Sequence, residues 1–210
     1  MTQARDQSKT RGKLIIISGP SGVGKSTITG QLIARRDDTY LSISVTTRPQ
    51  AQTEQNGREY WFISREEFHK RIEEGSLLEY AEVFGNLYGT PRDKTEETLD
   101  AGKTVILEID VQGARQVKAI YPQATMIFIL PPSGKVLAER LGHRGRESGE
   151  VAARRLGGAA GEIAAAWQYY DHMVINDDLE QAIREIIQII ERAPRIDAEA
   201  NTDQDKLENE

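Results

Sequence analysis

The residues Gly19-Pro20-Ser21-Gly22-Val23-Gly24-Lys25-Ser26 fit the pattern G-x-x-x-x-G-K-[ST] at every fixed position. The chemistry of such a stretch is anion binding. Its glycines let backbone N–H groups turn inward on a phosphate, and a helix starting at Lys25 adds partial positive charge. In this pattern the lysine reaches the β- and γ-phosphates of a nucleotide and the hydroxyl of Ser26 ligates Mg²⁺. Glu108 and Asp110 end an apolar run. Acids there suit the water shell of a Mg²⁺ ion, although strand ends also use acids as ordinary caps. A basic cluster, Arg140, Arg144 and Arg146 among Gly142, Gly145 and Gly149, precedes Arg154 and Arg155. So polar a segment cannot be core. It reads as a mobile lid that brings guanidinium groups over a transferred phosphate, against the plainer reading of a solvated face paired with Glu147, Glu150 or Glu162.

The elements that must position these groups follow from periodicity. Residues 14–17 (Leu-Ile-Ile-Ile) form a short β-branched run of the kind buried on both faces, and Ile28, Leu32 and Ile33 recur at helical spacing. Strand, glycine loop and helix therefore come in the required order. Residues 40–45 alternate as one half-buried strand, 59–63 make another, and Ser64 with Glu67 forms a capping box for a helix presenting Phe68 and Ile72. Thr90 and Pro91 are expected as cap and first turn of a helix stopped by Gly102. Runs at 104–110, 124–130 and 173–175 supply further strands, and Ile183, Ile186, Ile187 and Ile190 mark an amphipathic closing helix. The pattern implies an α/β fold with a parallel sheet and ligands at the C-terminal ends of its strands.

A chain of 210 residues with a formal net charge of −6 is not a general nucleic-acid binder, and without cysteine it has neither disulfides nor thiolate chemistry. Its apolar runs are strand-sized, so no membrane span is expected and the cytoplasm is the expected location. The expected organisation is a flexible arm over 1–12 and a core over 13–43, 91–139 and 150–193. An insertion occupies 44–90, a lid 140–149, and a disordered acidic tail 194–210. Monomer and homodimer both remain open.

An ordered set of motifs resembles the guanylate kinase family. It comprises residues 18–27 (SGPSGVGKST), Val45-Thr46-Thr47-Arg48, Asn56-Gly57-Arg58-Glu59-Tyr60, Glu79-Tyr80-Ala81-Glu82 and Tyr88-Gly89-Thr90. It continues through Glu108-Ile109-Asp110-Val111-Gln112-Gly113, Arg144-Gly145 and Val174-Ile175-Asn176-Asp177-Asp178. The resemblance implies transfer of the γ-phosphoryl group of ATP to GMP or dGMP with Mg²⁺. It implies a P-loop NTPase-like parallel sheet flanked by helices, a mixed α+β insertion that binds GMP, and an arginine-rich lid. Carried over by position, Gly19, Pro20, Ser21, Gly22, Val23, Gly24, Lys25, Ser26, Thr27 and Asn176 bind ATP. Ser44, Glu79 and Asp110 lie at guanine, while Arg48, Tyr60, Tyr88 and Thr90 surround the GMP phosphate. Lys25, Arg48, Arg140, Arg144 and Arg155 are the catalytic cations, and Ser26 with Glu108, the latter through water, serves the metal. Elementary chemistry agrees on Glu79, because guanine offers N1–H and its amino group as adjacent donors to one carboxylate. One departure stands out. The family usually carries a second phosphate-clamping arginine three residues after the position of Arg48, and here that residue is Ala51, with Arg58 and Arg92 as candidate replacements. A kinase acting on another phosphorylated acceptor, such as a phosphosugar, and a non-catalytic peptide-binding module of the same fold are the competing readings.

Overall fold

The computed structural model describes residues 10–142 and 149–197. In β1 (Lys13–Ser18) every position after Lys13 is buried. Successive side chains of a strand point to opposite faces, so a strand with no polar face must lie between two layers. Leu14 and Ile16 accordingly join one apolar cluster, and Ile15 and Ile17 join another. β7 (Thr104–Glu108) and β8 (Thr125–Leu130) flank β1, with β2 (Thr39–Ser42) beyond β7 and β9 (His172–Ile175) beyond β8. All four pairings are parallel. One face of this sheet is covered by α1 (Lys25–Arg35) and α7 (Leu179–Arg192) through Ile28, Leu32, Ile183, Ile186 and Ile190. The other is covered by α3 (Arg92–Asp100) and α4 (Val111–Ile120) through Leu99, Ala114 and Val117. Parallel strands place all their C-terminal ends at one edge, which gathers the phosphate loop after β1 and the acids after β7. α5 (Gly134–Gly142) and α6 (Gly149–Tyr169) lie on either side of residues 143–148. Within α6, Gly157, Gly158 and Gly161 face open space.

A second sheet, ordered β4-β3-β6-β5, carries β3 (Val45–Thr46), β4 (Trp61–Phe62), β5 (Leu77–Val83) and β6 (Asn86–Pro91). The alternation over 40–45 is thus two strands in two sheets, not one. β2 stays with β7 through Ser42, then Ile43 and Ser44 cross over so that Val45 enters a small core with Phe68, Leu77 and Leu87. Alternation alone cannot show this, since both pieces keep the same period. The capping box is half realised: the Glu67 N–H donates to Ser64 Oγ at 3.1 Å, opening α2 (Arg65–Glu73), but the Glu67 carboxylate turns to Arg71 at 3.0 Å. Thr90 is not a helix cap. It lies inside β6 opposite Glu79, and α3 begins after Pro91 without a side-chain cap.

The chain ends also depart from expectation. Arg11 is buried and ion-paired to Glu96 and Asp100, so ordered structure starts inside the expected arm. Ile196, expected in a disordered tail, is fully buried in the apolar cluster over α3 and α4. Its N–H donates to the Gly12 carbonyl at 2.9 Å and its carbonyl accepts from the Arg11 N–H at 3.1 Å. One apolar residue suffices to order the segment when its backbone groups find partners on another strand-like stretch. The rest of the arm and tail, 1–9 and 198–210, lies outside the described residues. Removing a buried isoleucine side chain costs about 2–5 kcal/mol, so Ile196→Ala should lower the urea midpoint by a corresponding amount. A midpoint equal to that of the parent would mean that the segment carries no packing.

Candidate active site

α1 opens on Gly24, whose φ of 106° is left-handed and which offers no side-chain cap; no acid occupies the first turn. The helix end therefore keeps its backbone donors for an anion. A Cβ at Gly24 would stand 2.5 Å from Asn176 Nδ2, so only glycine fits. That amide is occupied: Asn176 Nδ2 donates to the Val23 carbonyl at 2.8 Å. Arg140 Nη1 reaches the same carbonyl at 3.3 Å, and its Nη2 donates to the Asn176 carbonyl at 3.1 Å. Asn176 and Arg140 thus brace the loop from outside. Lys25 Nζ donates to the carbonyls of Gly19 at 2.6 Å and Pro20 at 3.3 Å, holding the charge over the loop.

The Ser26 hydroxyl donates to Glu108 Oε1 at 2.8 Å, and Thr29 Oγ1 donates to Oε2 of the same carboxylate at 3.0 Å. Among the described residues no group of three or more carboxylate, histidine or cysteine side chains could cage a metal. Mg²⁺ keeps several waters and takes phosphate oxygens as ligands, so the Ser26 hydroxyl and the Glu108 carboxylate fit a protein share of its shell. Burial raises the pKa of Glu162 on α6, with Lys25 opposing and Asp110 reinforcing the shift, so α6 brings a third carboxylate to this edge.

Across from the loop, the pairing of β5 with β6 sets Glu79 opposite Thr90. The carboxylate is only 4% exposed, and Thr90 Oγ1 donates to its Oε1 at 2.6 Å. Burial pushes the Glu79 carboxyl up to about 7, Thr90 partly offsets this, and the charge of Asp110 adds to it. Asp110 itself caps α4, accepting from the Gly113 N–H at 2.9 Å. Gly113 makes room, because a Cβ there would overlap Glu79 Oε2. Arg48, Tyr60 and Tyr88 form the neighbouring cluster: the Arg48 guanidinium lies 5.4 Å from the Tyr60 ring centre, and the two tyrosine rings meet edge to face at 5.7 Å. Burial first, and then the charge of Glu108, pushes the Tyr60 hydroxyl up to about 12, so it stays a donor. Ser44 sits half-buried in the crossover between the sheets.

The chain as a whole is similar to known proteins. A model of the guanylate kinase family matches residues 11–193. A guanylate kinase from Synechocystis is 49% identical over 187 residues, covering 89% of this chain and 97% of the relative; one from Thermosynechococcus vestitus is 52% identical, covering 87% and 94%. The crystal structure of guanylate kinase from Anaplasma phagocytophilum superposes with a TM-score of 0.73 at 35% identity, covering 87% of this chain and 86% of the other. The chain belongs to the guanylate kinase family. The SH3-kinase fragment of tight junction protein 3 matches with a TM-score of 0.50 at 11% identity over 91% of this chain and 61% of its own, a likeness of fold alone.

Several features of this guanylate kinase family site escaped sequence reading. Thr29 completes the grip on Glu108, and the signal was its helical spacing of three from Ser26 on α1. Gln116 on α4 exchanges two hydrogen bonds with the backbone of Tyr80, at 2.8 and 3.3 Å, closing the edge strand β5 against the core. No local pattern marks it. Arg58 and Arg92, the candidate replacements for the absent arginine, are engaged elsewhere in this structure. Arg58 pairs with Glu59 at 2.6 Å, and Arg92 donates to the carbonyls of Gly75 at 3.0 Å and Leu77 at 3.4 Å, tying α3 to the preceding loop. Arg144 lies outside the described residues, and Arg155 is described only as part of α6. A groove of about 600 Å³ lined by Lys118, Thr125, His172 and Arg192 opens at the opposite end of the sheet, away from all of these residues.

The raised Glu79 pKa has a sign that stability measurements can read. A carboxyl whose folded value of about 7 lies above its ordinary 4.5 favours the fold fully below pH 4.5, and that contribution is lost as pH rises through 7. The loss from this one group is on the order of 3 kcal/mol. Glu79→Gln, neutral throughout, should gain stability relative to the parent as pH rises from about 4 to 8 in denaturant melts of the nucleotide-free protein. Equal pH dependence in the two proteins would show that Glu79 ionises normally.

Proposed function

We propose that this chain transfers the γ-phosphoryl group of ATP to GMP, giving ADP and GDP, with the residues above in the following roles. The observation that supports the reading best is the buried carboxylate of Glu79, hydrogen-bonded by Thr90 and walled by Asp110 and Gly113. One carboxylate can accept guanine N1–H and the amino N–H together, whereas adenine presents an acceptor at N1 and cannot repay the desolvation. Ser44 and Asp110 complete the guanine site. Arg48, Tyr60, Tyr88 and Thr90 hold the GMP phosphate, as two tyrosine hydroxyls and a guanidinium suit a dianion.

Gly19, Pro20, Ser21, Gly22, Val23 and Gly24 supply backbone around the ATP phosphates. Lys25, Ser26 and Thr27 open α1 behind them, and Lys25 leaves the loop carbonyls to follow the β- and γ-oxygens. Asn176 faces the adenine side of the same loop. Mg²⁺, bound with ATP, would be held by Ser26 and, through water, Glu108, and would offset charge on the transferring group. Arg140, Arg144 and Arg155 belong to the lid that places positive charge over that group, and Arg140 already rests on the loop. A cytoplasmic location is part of the same proposal; among the described residues no helix is long and apolar enough to cross a membrane. Glu79, useless to a phosphosugar, and Lys25, useless to a peptide-binding module, weigh against the competing readings.

Coupled ADP-release assays test the acceptor. A site built to hydrogen-bond its substrate rejects a mismatched one by about 10⁴-fold, so kcat/KM for GMP should exceed that for AMP by this order, and Glu79→Gln should erase most of the margin. Comparable values for GMP and AMP in the parent would end the guanine assignment. Lys25→Met removes a charge that strengthens its contacts in the transition state, and kcat should fall by a factor on the order of 10² or more while the melting temperature holds. Retained turnover in that variant would exclude the phosphate-loop mechanism.

A further inference from the structure

Ala51 leaves the acceptor phosphate with Arg48 as the arginine that family position assigns to it, and one flexible cation binds an oxyanion well only when its fork is oriented. A guanidinium has two edges that can each hold an oxyanion through a pair of parallel N–H donors: the Nη1/Nη2 end and the Nε/Nη2 side. In this structure Glu54 takes the end. Nη1 donates to Glu54 Oε2 at 3.1 Å and Nη2 to Oε1 at 2.8 Å, while the second Nη1 hydrogen goes to the Pro49 carbonyl at 2.9 Å. Glu54 is itself fixed. The Ala51 N–H donates to Oε2 at 2.8 Å, the Glu54 N–H donates back to the Ala51 carbonyl at 3.0 Å, and Gln50 Nε2 donates to the Glu54 carbonyl at 2.6 Å. The carboxylate side chain is 17% exposed. The guanidinium carbon also lies 5.4 Å from the Tyr60 ring centre and 5.6 Å from that of Phe62.

We propose that Glu54 is the positioning residue of the acceptor-phosphate clamp: it grips the far end of Arg48 so that the Nε/Nη2 side is presented to the phosphate of GMP. This rests on the GMP kinase reading above. Residue 51, where the family usually places a second cation, contributes its backbone N–H to this grip instead. The two effects of a carboxylate at this place have opposite signs. As a positioning group it strengthens GMP binding by fixing the fork, and as a negative charge beside a dianion it weakens binding; the double hold on both terminal nitrogens makes orientation the larger effect.

Steady-state kinetics with Glu54→Ala, Glu54→Gln, Arg48→Ala and the Arg48→Ala/Glu54→Ala double variant decide this, together with calorimetric titration of GMP and of guanosine, which lacks the phosphate. Glu54→Ala should raise KM for GMP about tenfold, with KM for ATP changed by less than about twofold. Glu54→Gln, which keeps the shape and one acceptor oxygen, should show a smaller rise at an unchanged melting temperature. The double variant should match Arg48→Ala alone, because Glu54 acts through Arg48. Guanosine affinity should be the same in all. A KM for GMP that is unchanged or lower in Glu54→Ala, added damage in the double variant, or an equal loss of guanosine binding would overturn the assignment. These results presuppose a parent enzyme that phosphorylates GMP, so a parent inactive on GMP would instead defeat the functional reading and this inference with it.

Discussion

A carboxylate taken out of water between two sheets governs how this molecule is put together. Glu79 is 4% exposed and has one hydroxyl donor, Thr90, while the nearby charge of Asp110 works against its ionisation. Such a group is tolerated only where its surroundings are rigid, since a mobile neighbour would let it return to solvent or lose its partner. Several otherwise separate features converge on that requirement. The register of β5 and β6 brings Thr90 opposite, the glycine at 113 leaves space for the carboxylate, and Gln116 fastens the open edge of β5 to α4. The small core of Val45, Phe68, Leu77 and Leu87 then holds the second sheet together behind it.

Around the phosphate loop the described side-chain hydrogen bonds of the cations go to backbone carbonyls, and Glu162 on α6 adds its charge near Lys25. α1 starts on a glycine with no side-chain cap, whereas α2, α4 and α7 start on Ser64, Asp110 and Asp178, which do accept from their first turns. Lys25 rests on neutral loop carbonyls, and Arg140 rests on Val23 and Asn176 carbonyls. Carbonyls hold a cation less tightly than carboxylates do. Arg48, by contrast, is held by the carboxylate of Glu54 through both terminal nitrogens.

Chain reversal at the termini shows how little apolar surface is needed when backbone groups find partners. Arg11, Gly12 and Ile196 lie outside every strongly periodic segment, yet two backbone hydrogen bonds and one buried side chain draw both ends onto the α3–α4 face. The buried Arg11, paired with Glu96 and Asp100, reinforces the same junction.

The amino-acid sequence by itself determined the phosphate loop, the strand buried on both faces before it, the amphipathic helix after β9 and the cap at Ser64. Each of these is local, set by the period of a strand or helix, by the φ that only glycine adopts easily, or by a side chain short enough to reach its own helix. The resemblance to a family then named Glu79, Arg48 and the tyrosines, though composition and spacing alone did not. Tertiary structure decided the rest. It divided 39–46 between two sheets, moved Thr90 from a helix cap to the partner of Glu79, turned Arg58 and Arg92 to structural contacts, and joined Thr29 to Glu108 and Arg48 to Glu54. These outcomes depend on which distant backbone supplies the neighbouring donor or acceptor. That is a matter of register and crossing between segments tens of residues apart, on which a local period is silent.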